Sequence, residues 1–583
     1  MRLKCAGALS RERRLDLGYA AGAMAVTTAV MAWVLELWDA HLQIPMAPVE
    51  TDAGHVLALV QSTLQNGWFL TNPDLGAPAG QEVYDYAAYN GDALHFALMK
   101  LLDVFTENAA PVVNVYFLLG FPLCAMSGFL LMRWMGISRP VAMVCAALFA
   151  LAPNHFLRSE YHLFLGAYFL VPAAAYLVLA IYADKPLFAG RRRTLLTIGL
   201  AVLAALSDAH YAAFAILLVA AAGVLTFVAR GSKRALVSAA AVVAVMGATV
   251  TLEMTPTLIH RLDHGVNEAV GEREAADSFE YSTNLTDLLF PARNHRLEPL
   301  DDLDDRYTPS VPVGHEIGDR LGFVAAAGFV WLLAVALAVV VGGGSSRLGR
   351  DSRHRHLSAG ATTAFLIGTT GGVSGLIAFL VTPQVRSWNR ISIFITLFAL
   401  IAVALLLDAL RSRMRRRSLA AVAVGGVLVL GVLDQTNPSF APDHEALAAQ
   451  WRSDGQFVSE IERRMPDGAL ILQLPYLPYP ENPPVGSMGD YAHVRAYLHS
   501  RSLRWSYGAM KGRSDDWLAP LAGGALSAIV ERARELGFHG VYVDRLGYED
   551  GGAAVEAELA GLSGGDPLVS PDERLAFFAL PAS

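Results

Sequence analysis

The apolar run LGYAAGAMAVTTAVMAWVLEL occupies positions 17–37, and the acidic segment TDAGH follows it at positions 51–55. About 20 apolar residues in a helix are enough to cross the hydrocarbon core of a bilayer, so positions 17–37 predict a membrane helix. The run is too long for the core of a signal peptide, and no small-residue cleavage site ends it. We therefore expect an uncleaved first span, with TDAGH opening the loop that follows it.

Similar apolar runs recur along the 583 residues. The composition is 54% hydrophobic and 17% charged, and the mean hydropathy is +0.39. Soluble globular proteins are about 45–50% apolar and about 25% charged, so this composition predicts a multispanning membrane protein. Eleven spans are predicted, at positions 17–38, 110–132, 140–153, 162–182, 194–208, 211–229, 235–253, 320–342, 359–381, 391–410 and 418–434.

The connections between these spans alternate in charge. Arginines concentrate in the N-terminal tail and in the loops near 133–139, 184–193, 230–234, 343–358 and 411–417. The positive-inside rule places these segments in the cytoplasm, so the long acidic loops 39–109 and 254–318 lie outside. Abundant alanine, and arginine in large excess over lysine, are typical of a GC-rich bacterial genome. We therefore expect a multi-pass protein of the bacterial inner (cytoplasmic) membrane, with a cytoplasmic N-terminus.

The last 150 residues have a different pattern. Ala469–Leu474, Gly540–Asp544 and Leu575–Leu580 are predicted β-strands, and Leu526–Leu536 has helical spacing. The predicted fold is therefore an all-α multispanning membrane domain at 1–434, followed by a small exoplasmic α/β domain at 435–583.

The segment after the first span is the leading candidate for chemistry. Asp52 and His55 lie at i and i+3 of a predicted helix, so they share one face. A carboxylate there could accept a proton from an acceptor hydroxyl, with His55 as its neighbour. Thr51 and Asp52 are also good helix caps, and capping is the structural alternative.

Acidic and aromatic residues alternate later in the same loop, where YDYAAYNGD occupies positions 84–92. Tyr84, Asp85 and Asp92 are candidates for sugar binding, because rings stack on pyranose faces and carboxylates accept bonds from hydroxyls. The tripeptide NGD is equally typical of an ordinary turn. Asp52, Asp85 and Asp92 could also supply oxygen ligands to a divalent metal, although no metal-binding loop spacing is present. No cofactor is predicted, and the metal remains an alternative.

Basic residues lie at the outer end of the third span, where NHFLRSEYH occupies positions 154–162. In a continuous helix, His155, Arg158 and His162 fall at i, i+3 and i+7 and form one polar stripe. Such a stripe suits a phosphate held at the depth of the lipid headgroups, because arginine binds phosphate through two bonds.

Two further pairs lie on the same side of the membrane. Arg386 and Arg390 are spaced i and i+4 where the tenth span begins, on the side where the positive-inside rule disfavours arginine. Headgroup snorkelling or pairing with a nearby acid is the structural alternative. Asp208 and His210 form a short outer turn between the fifth and sixth spans, and they could line the same cavity.

Several familiar motifs are absent from the sequence. It contains no phosphate-binding loop, dinucleotide fingerprint, zinc motif or nucleophile elbow. An exoplasmic site cannot use cytoplasmic nucleotide-sugars directly, so a lipid-linked donor is expected.

With these residues in view, the chain resembles the GT-C superfamily of integral membrane glycosyltransferases. It also resembles bacterial membrane proteins described as sugar translocases or polysaccharide-synthesis proteins. The shared segments are TDAGH (51–55), GWFLTNP (67–73), LGAP (75–78), YD (84–85), PNHFLR (153–158) and WSYGAMK (505–511). The resemblance implies a polyprenyl-phosphate sugar donor, a catalytic acid in the first outer loop, matched by Asp52, and a C-terminal exoplasmic domain.

The sequence therefore predicts a glycosyltransferase that moves a sugar, with inversion, from a polyprenyl-phosphate carrier to a lipid-linked or polymeric glycan. Asp52 would be the general base. The phosphate would be held by His155, Arg158, His162, Arg386 and Arg390, and the sugar or acceptor by His55, Tyr84, Asp85, Asp92, Asp208 and His210. Membrane lipids are the other expected partners, and no nucleic acid is expected. The alternatives are a flippase or transporter of lipid-linked sugars and a non-catalytic assembly protein of polysaccharide biosynthesis.

Overall fold

A computed structural model describes residues 11–86, 91–271, 273–310, 319–342, 348 and 350–581. Within these ranges, nine helices are long and apolar enough to cross a membrane. They are Arg11–Val34, Ala109–Trp134, Arg139–Arg158, Leu163–Tyr182, Ala209–Arg230, Lys233–Glu253, Phe323–Gly342, Trp388–Arg413 and Arg417–Gln435. The predicted multispanning helical membrane domain is confirmed.

The other two predicted spans are also helical but shorter. Arg191–Ala205 has 15 residues, and Ser352–Gly368 has 17 and is followed by the helix Val373–Leu380. Breaks occur in two of the longer spans. The third span consists of the helices Arg139–Ala150 and Pro153–Arg158. The fourth span consists of the helix Leu163–Gly166, the 3₁₀ turn Tyr168–Leu170 and the helix Val171–Tyr182. Proline explains the first break, because Pro153 cannot donate the backbone bond that would continue the helix.

The helix Ser392–Arg413 lies at the centre of the membrane domain. It packs against Phe323–Gly342, Ser352–Gly368 and Arg139–Ala150, and its residues from 392 to 402 are all buried. Helices at the periphery leave large apolar side chains uncovered, including Val228 and Val341. Apolar side chains on the outer surface of a bundle match the lipid around it.

One side of the membrane domain carries most of the extramembrane residues, and we call it the outer side, following the predicted topology. The first outer loop contains the helices Asp52–Asn66, Ala93–Lys100 and Leu101–Val104 and the antiparallel strands Thr71–Asn72 and Gln81–Glu82. The second contains Thr255–His264, Asp277–Glu280, Leu285–Leu289, Glu298–Tyr307 and the 3₁₀ turn Thr308–Ser310.

The C-terminal region forms a mixed five-stranded sheet with helices around it, as predicted. The strand order is Arg504–Trp505, Leu470–Leu474, Phe538–Asp544, Leu575–Ala579 and Leu568–Val569, in which the first three strands are parallel. The α-helices are His444–Arg464, Val494–His499, Leu526–Glu535 and Ala553–Ser563, with 3₁₀ turns at Pro438–Phe440, Ala519–Leu521 and Arg545–Gly547.

The helix Asp52–Asn66 joins the two parts of the molecule. Its residues from 53 to 63 are all buried, and it packs against both the membrane helix Ala109–Trp134 and the C-terminal helix Val494–His499. Leu57 therefore belongs to the same apolar core as Phe457 and Tyr491 of the C-terminal region. Burial on all sides fixes the axis of this helix, and with it the position of Asp52 at its first turn.

Candidate active site

A cleft of about 440 Å³ opens on the outer side, beside the N-terminal end of the helix Asp52–Asn66. Its walls come from the first outer loop, the ends of several membrane helices and the C-terminal region. The ionisable side chains that line it are Asp52, Asp85, Tyr86, Asp92, Tyr161, His162, Asp208, His210, Arg261, Arg273, Arg386, Arg390 and Glu481.

Asp52 is the acid at the entrance to the helix, but it does not cap it. The side chain of Thr51 accepts the bond from the backbone N–H of Ala53 and serves as the N-cap. The carboxylate of Asp52 is 45% exposed, and one of its oxygens lies 3.7 Å from Nε2 of His162. The structural alternative of capping by Asp52 is therefore wrong, and its carboxylate remains available to the cleft.

The surroundings of Asp52 make it a better base than an ordinary aspartate. Although solvent reaches the carboxylate through the cleft, the protein atoms around it displace much of its hydration. This desolvation, together with the negative charges of Asp490 and Glu481, raises the pKa of Asp52 to about 6, against the opposing effect of Arg390 and Arg386. A carboxylate with a raised pKa binds a proton more readily, yet it remains ionised near neutral pH.

The cationic wall of the cleft is formed by Arg386 and Arg390. Nη1 of Arg390 lies 3.0 Å from Nε2 of His210, whose Nδ1 lies 3.1 Å from a carboxylate oxygen of Asp208. The Asp208 carboxylate also accepts the backbone N–H of His210 at 2.8 Å. His210 therefore lies between Asp208 and Arg390 and helps to hold Arg390 in place. Arg386 lies over the ring of Tyr281, 5.1 Å from its centroid.

The C-terminal region contributes Glu481 to the lining of the cleft. A carboxylate oxygen of Glu481 accepts bonds from Arg273 at 2.7 Å and from the hydroxyl of Tyr86 at 3.1 Å. Burial alone would raise the pKa of Glu481, but the bond and charge of Arg273 outweigh it and lower the pKa. Glu481 is therefore ionised, and it accepts hydrogen bonds in the lining of the cleft.

The two acids predicted to bind sugar have different surroundings. Both oxygens of Asp85 accept bonds of 2.7 Å from Arg513, and one also accepts from Asn267 at 3.1 Å. Asp85 therefore ties the first outer loop to the C-terminal region. Asp92 is buried beside Asp208, and burial followed by the charges of Asp208 and Glu253 raises its pKa well above the ordinary value. A protonated Asp92 could donate a hydrogen bond into the cleft.

The predicted helical stripe is wrong in its geometry. The helix Pro153–Arg158 ends before His162, and Ser159 has a φ of 43°, so the chain changes direction there. His162 lines the cleft, whereas His155 is fully buried, with its ring stacked on Phe121 at 3.6 Å. Arg158 is buried beside Asn154 and is not among the residues that line the cleft.

His55 and Tyr84 also lie away from the cleft. Nε2 of His55 lies 2.6 Å from the hydroxyl of Tyr479, and its ring stacks on Tyr491 at 4.4 Å. Burial lowers the pKa of His55 to about 3, so its ring is neutral in this core. Tyr84 stacks on His260 with 5.0 Å between the ring centroids. Asp52 and His55 therefore do not share a functional face: one faces the cleft and the other the C-terminal region.

The three acids considered for a metal line the same cleft but are not grouped as metal ligands. In the described part of the chain, no group of three or more His, Cys, Asp or Glu side chains is placed to hold a metal ion. Asp85 is occupied by Arg513, and Asp52 faces His162 instead.

Comparison with solved structures identifies the architecture. ArnT from Cupriavidus metallidurans, solved with undecaprenyl phosphate bound, matches with a TM-score of 0.52 at 12% identity, over 97% of this chain and 98% of that one. The chain has the GT-C fold.

Two other structures give lower scores. Arabinofuranosyltransferase AftD from Mycobacteria has a TM-score of 0.47 at 15% identity, over 99% of this chain and 42% of that one. The oligosaccharyltransferase of Archaeoglobus fulgidus has a TM-score of 0.44 at 13% identity, over 90% of this chain and 69% of that one. No protein-family model and no curated protein matches the sequence.

Sequence reasoning missed three charged residues of this cleft, Arg261, Arg273 and Glu481. Glu481 lies in the segment YPENPP at positions 479–484, and Arg273 lies in the second outer loop. An acid among prolines in a polar-aromatic stretch is the one local signal for Glu481. Nothing local indicates that Arg273 lies beside it.

Proposed function

We propose that this protein is a membrane glycosyltransferase that transfers a sugar from a polyprenyl-phosphate carrier to a hydroxyl of a glycan acceptor on the outer side. The observation that carries the proposal is the cleft in which the Asp52 carboxylate faces Arg386 and Arg390, whose charges act on its pKa. A glycosyl transfer needs a base for the attacking hydroxyl and positive charge for the departing phosphate, and this cleft contains both.

The reaction needs a base at the attacking oxygen. Asp52 removes the proton of the acceptor hydroxyl while that oxygen forms a bond to the anomeric carbon. The bond from this carbon to the phosphate oxygen breaks, and the phosphate leaves with the electron pair. Because the displacement is direct, the configuration at the anomeric carbon inverts. His162, 3.7 Å from Asp52, orients the carboxylate or passes its proton onward.

The departing phosphate needs positive charge that is already in position. Arg390 supplies it with its orientation fixed by His210, and Arg386 lines the same wall. Preorganised cations stabilise the negative charge that develops on the leaving group. Support for a lipid carrier comes from ArnT, which shares the fold and was solved with undecaprenyl phosphate.

The remaining polar groups of the cleft suit sugar hydroxyls. Ionised Glu481 accepts hydrogen bonds, whereas protonated Asp92 donates one. Tyr86 places an aromatic ring beside Glu481. This mixture of donors, acceptors and a ring is typical of sites that orient a ligand through a few polar contacts.

The transporter alternative predicts polar or broken helices near the middle of the membrane. In the described residues, the cleft draws its ionisable groups from helix ends and outer loops, such as Asp52, His210 and Arg390. The break between Ala150 and Pro153 likewise lies near the outer end of its span. These positions favour transfer at the membrane surface over passage through the bilayer.

The proposal is tested with the purified protein in lipid nanodiscs. We would incubate it with a panel of polyprenyl-phosphate sugars and a glycan-containing membrane extract, and measure labelled glycan and released polyprenyl phosphate. We expect both products in equal amounts from at least one donor. Movement of an intact lipid-linked sugar across vesicles, without cleavage of its sugar–phosphate bond, would instead identify a flippase.

A further inference from the structure

A second concave site lies beside the helix Asp52–Asn66, apart from the cleft. Val56 lines the cleft, whereas the next residue, Leu57, lines a groove of about 270 Å³ between the first outer loop and the C-terminal region. Gln61 and Gln65, one and two turns further along this helix, line the same groove. Nine residues separate Asp52 from Gln61, which is about 13 Å along the helix axis.

The groove is rich in neutral polar groups around an aromatic ring. Its polar lining consists of Gln43, Gln61, Gln65, Asn108, His499, Ser500 and Arg501, and Trp451 provides the ring. Amides and hydroxyls both donate and accept hydrogen bonds, as sugar hydroxyls do. The face of an indole is partly negative, which suits the polarised C–H groups on the face of a pyranose.

The groove continues past Trp451 along the helix His444–Arg464. Trp451 and His499, whose ring centroids lie 4.1 Å apart, also line a shallow surface with Arg452, Gly455, Gln456, Ser459 and Arg463. The residues from Arg452 to Arg463 recur every three to four positions, so they lie on one face of the helix. Gly455 lies against the ring of His499, and a Cβ there would lie 3.2 Å from Nδ1 of that ring. Because glycine has no side chain, the surface beside His499 stays uncovered.

The charges that line this surface all have one sign. Arg452, Arg463 and Arg501 line it, and among the described residues no acid does. Arg463 is already paired with Glu460, so Arg452 and Arg501 are the two arginines that we assign to a ligand. Arg501 lines the groove, and its backbone N–H donates to the carboxylate of Glu462 at 2.6 Å. Guanidinium groups bind carboxylate and phosphate through paired hydrogen bonds.

We propose that this groove binds a glycan chain that carries carboxylate or phosphate groups. Trp451 would stack on one sugar, the glutamines of the helix Asp52–Asn66 would bind hydroxyls, and Arg452 and Arg501 would bind the acidic substituents. The further assignment of this glycan as an acceptor, held beside the cleft between transfers, rests on the proposed function. The binding itself does not.

The test is direct binding measured by calorimetry on the full-length protein in detergent, without donor. The probes are alginate oligosaccharides, which carry carboxylates, and dextran oligosaccharides of matched length, which are neutral. We expect the wild type to bind alginate in preference to dextran. Trp451→Ala should weaken alginate binding at least about tenfold, as loss of a central aromatic contact does in other interfaces.

Two further variants keep the proposal testable if Trp451→Ala does not fold. Gly455→Leu adds bulk where only the side chain of His499 has to shift, by a few tenths of an ångström. The substitution also improves helix propensity, so the variant should fold and still block binding. Arg501→Ala should reduce the preference for alginate over dextran. The matched control is Arg532→Ala, an exposed arginine of the same region that pairs with Glu535 and does not line the groove.

Two outcomes would overturn the inference. One is unchanged alginate binding in both Trp451→Ala and Gly455→Leu. The other is a wild type that binds neither oligosaccharide while these variants alter binding to phosphatidylglycerol vesicles, which would identify a headgroup site. A protein that binds alginate through this groove but transfers no sugar would retain the inference and lose the proposed function.

Discussion

The carboxylate of Asp52 lies 3.7 Å from Nε2 of His162, although more than 100 residues separate them along the chain. Asp52 begins an outer helix, and His162 lies in the connection between two membrane spans. Both residues line the cleft, together with Arg386 and Arg390. The arrangement combines a base, an imidazole and two guanidinium groups in one cavity.

We expect Asp52→Asn to reduce glycosyl transfer by about 10²–10⁴-fold, because an amide cannot accept the proton of the acceptor hydroxyl. The change should not destabilise the protein. The folded-state pKa of Asp52 is raised to about 6, so its ionised form costs stability above that pH and its removal relieves the cost. At pH 7.5 the rate of glycosyl transfer should therefore fall, while the apparent Tm stays the same or rises. A mutant with wild-type turnover would contradict the role of Asp52 as a base.

The pH dependence of transfer should show the titration of Asp52. Only the ionised carboxylate can act as a base, so kcat/KM should rise with pH through about 6 and fall tenfold per unit at lower pH. This limb should be absent in Asp52→Asn, whose residual rate would show no inflection at this pH. A wild-type inflection near pH 4 would mean that the cleft does not raise the pKa of this acid in solution.

Arg390→Ala should raise the KM for the polyprenyl-phosphate donor about 10- to 100-fold, since a hydrogen bond to a charged group contributes about 1.5–3 kcal/mol. Arg390→Lys should recover only part of the loss, because an ammonium cannot form the paired bonds of a guanidinium. Arg306→Ala is the matched control, an exposed arginine of the second outer loop that does not line the cleft. A donor KM equal to the wild-type value in Arg390→Ala would contradict phosphate binding by this residue.

His210 is a positioning residue, since it acts on the donor through Arg390. Nε2 of His210 lies 3.0 Å from Nη1 of Arg390, so His210→Phe should misplace the guanidinium without removing its charge. We expect a higher donor KM and an unchanged acceptor KM. In the background of Arg390→Ala, His210→Phe should have little further effect, because the group that it positions is already gone. Fully additive losses would show that the two residues act separately.

Local patterns in the sequence were sufficient for most of the fold. Long apolar runs identify membrane helices such as Ser392–Arg413 because length and hydropathy are properties of one segment. The same holds for the strand Phe538–Asp544, whose short apolar run is a property of that segment alone. Asp52 and Arg390 could be predicted for the candidate site because a charged residue where a span meets the membrane surface is itself unusual.

The parts that could not be predicted depend on contacts between distant segments. A continuous helix would place His155 and His162 on one stripe, but the chain turns at Ser159 and His155 enters the core. His55 shares a helix with Asp52, yet that helix is buried on every side, so its neighbours decide what each residue contacts. Glu481 reaches the cleft only because the C-terminal region packs over the first outer loop.

The bond between Asp85 and Arg513 should matter for stability, because it fastens the first outer loop to the C-terminal region. Arg513 donates to both oxygens of Asp85, whose side chain is 3% exposed. Removal of the guanidinium leaves a buried carboxylate with the weaker support of Asn267 and His260. We expect Arg513→Ala to lower the free energy of unfolding by about 1.5–3 kcal/mol, as loss of a hydrogen bond to a charged group does.

This prediction can be checked by thermal unfolding in detergent and by limited proteolysis between the membrane helices and the C-terminal region. Arg532→Ala is the control, since its pair with Glu535 is exposed and should contribute about 0–1 kcal/mol. Burial alone would raise the pKa of Asp85, but the bonds from Arg513 and Asn267 outweigh burial and lower it. The ionised carboxylate therefore stabilises the folded protein fully above about pH 4, and this stabilisation is lost as the pH falls further. The difference between Arg513→Ala and wild type should therefore shrink in acid. A difference that stayed constant down to pH 3 would show that Arg513 stabilises the junction by packing and not through the charge of Asp85.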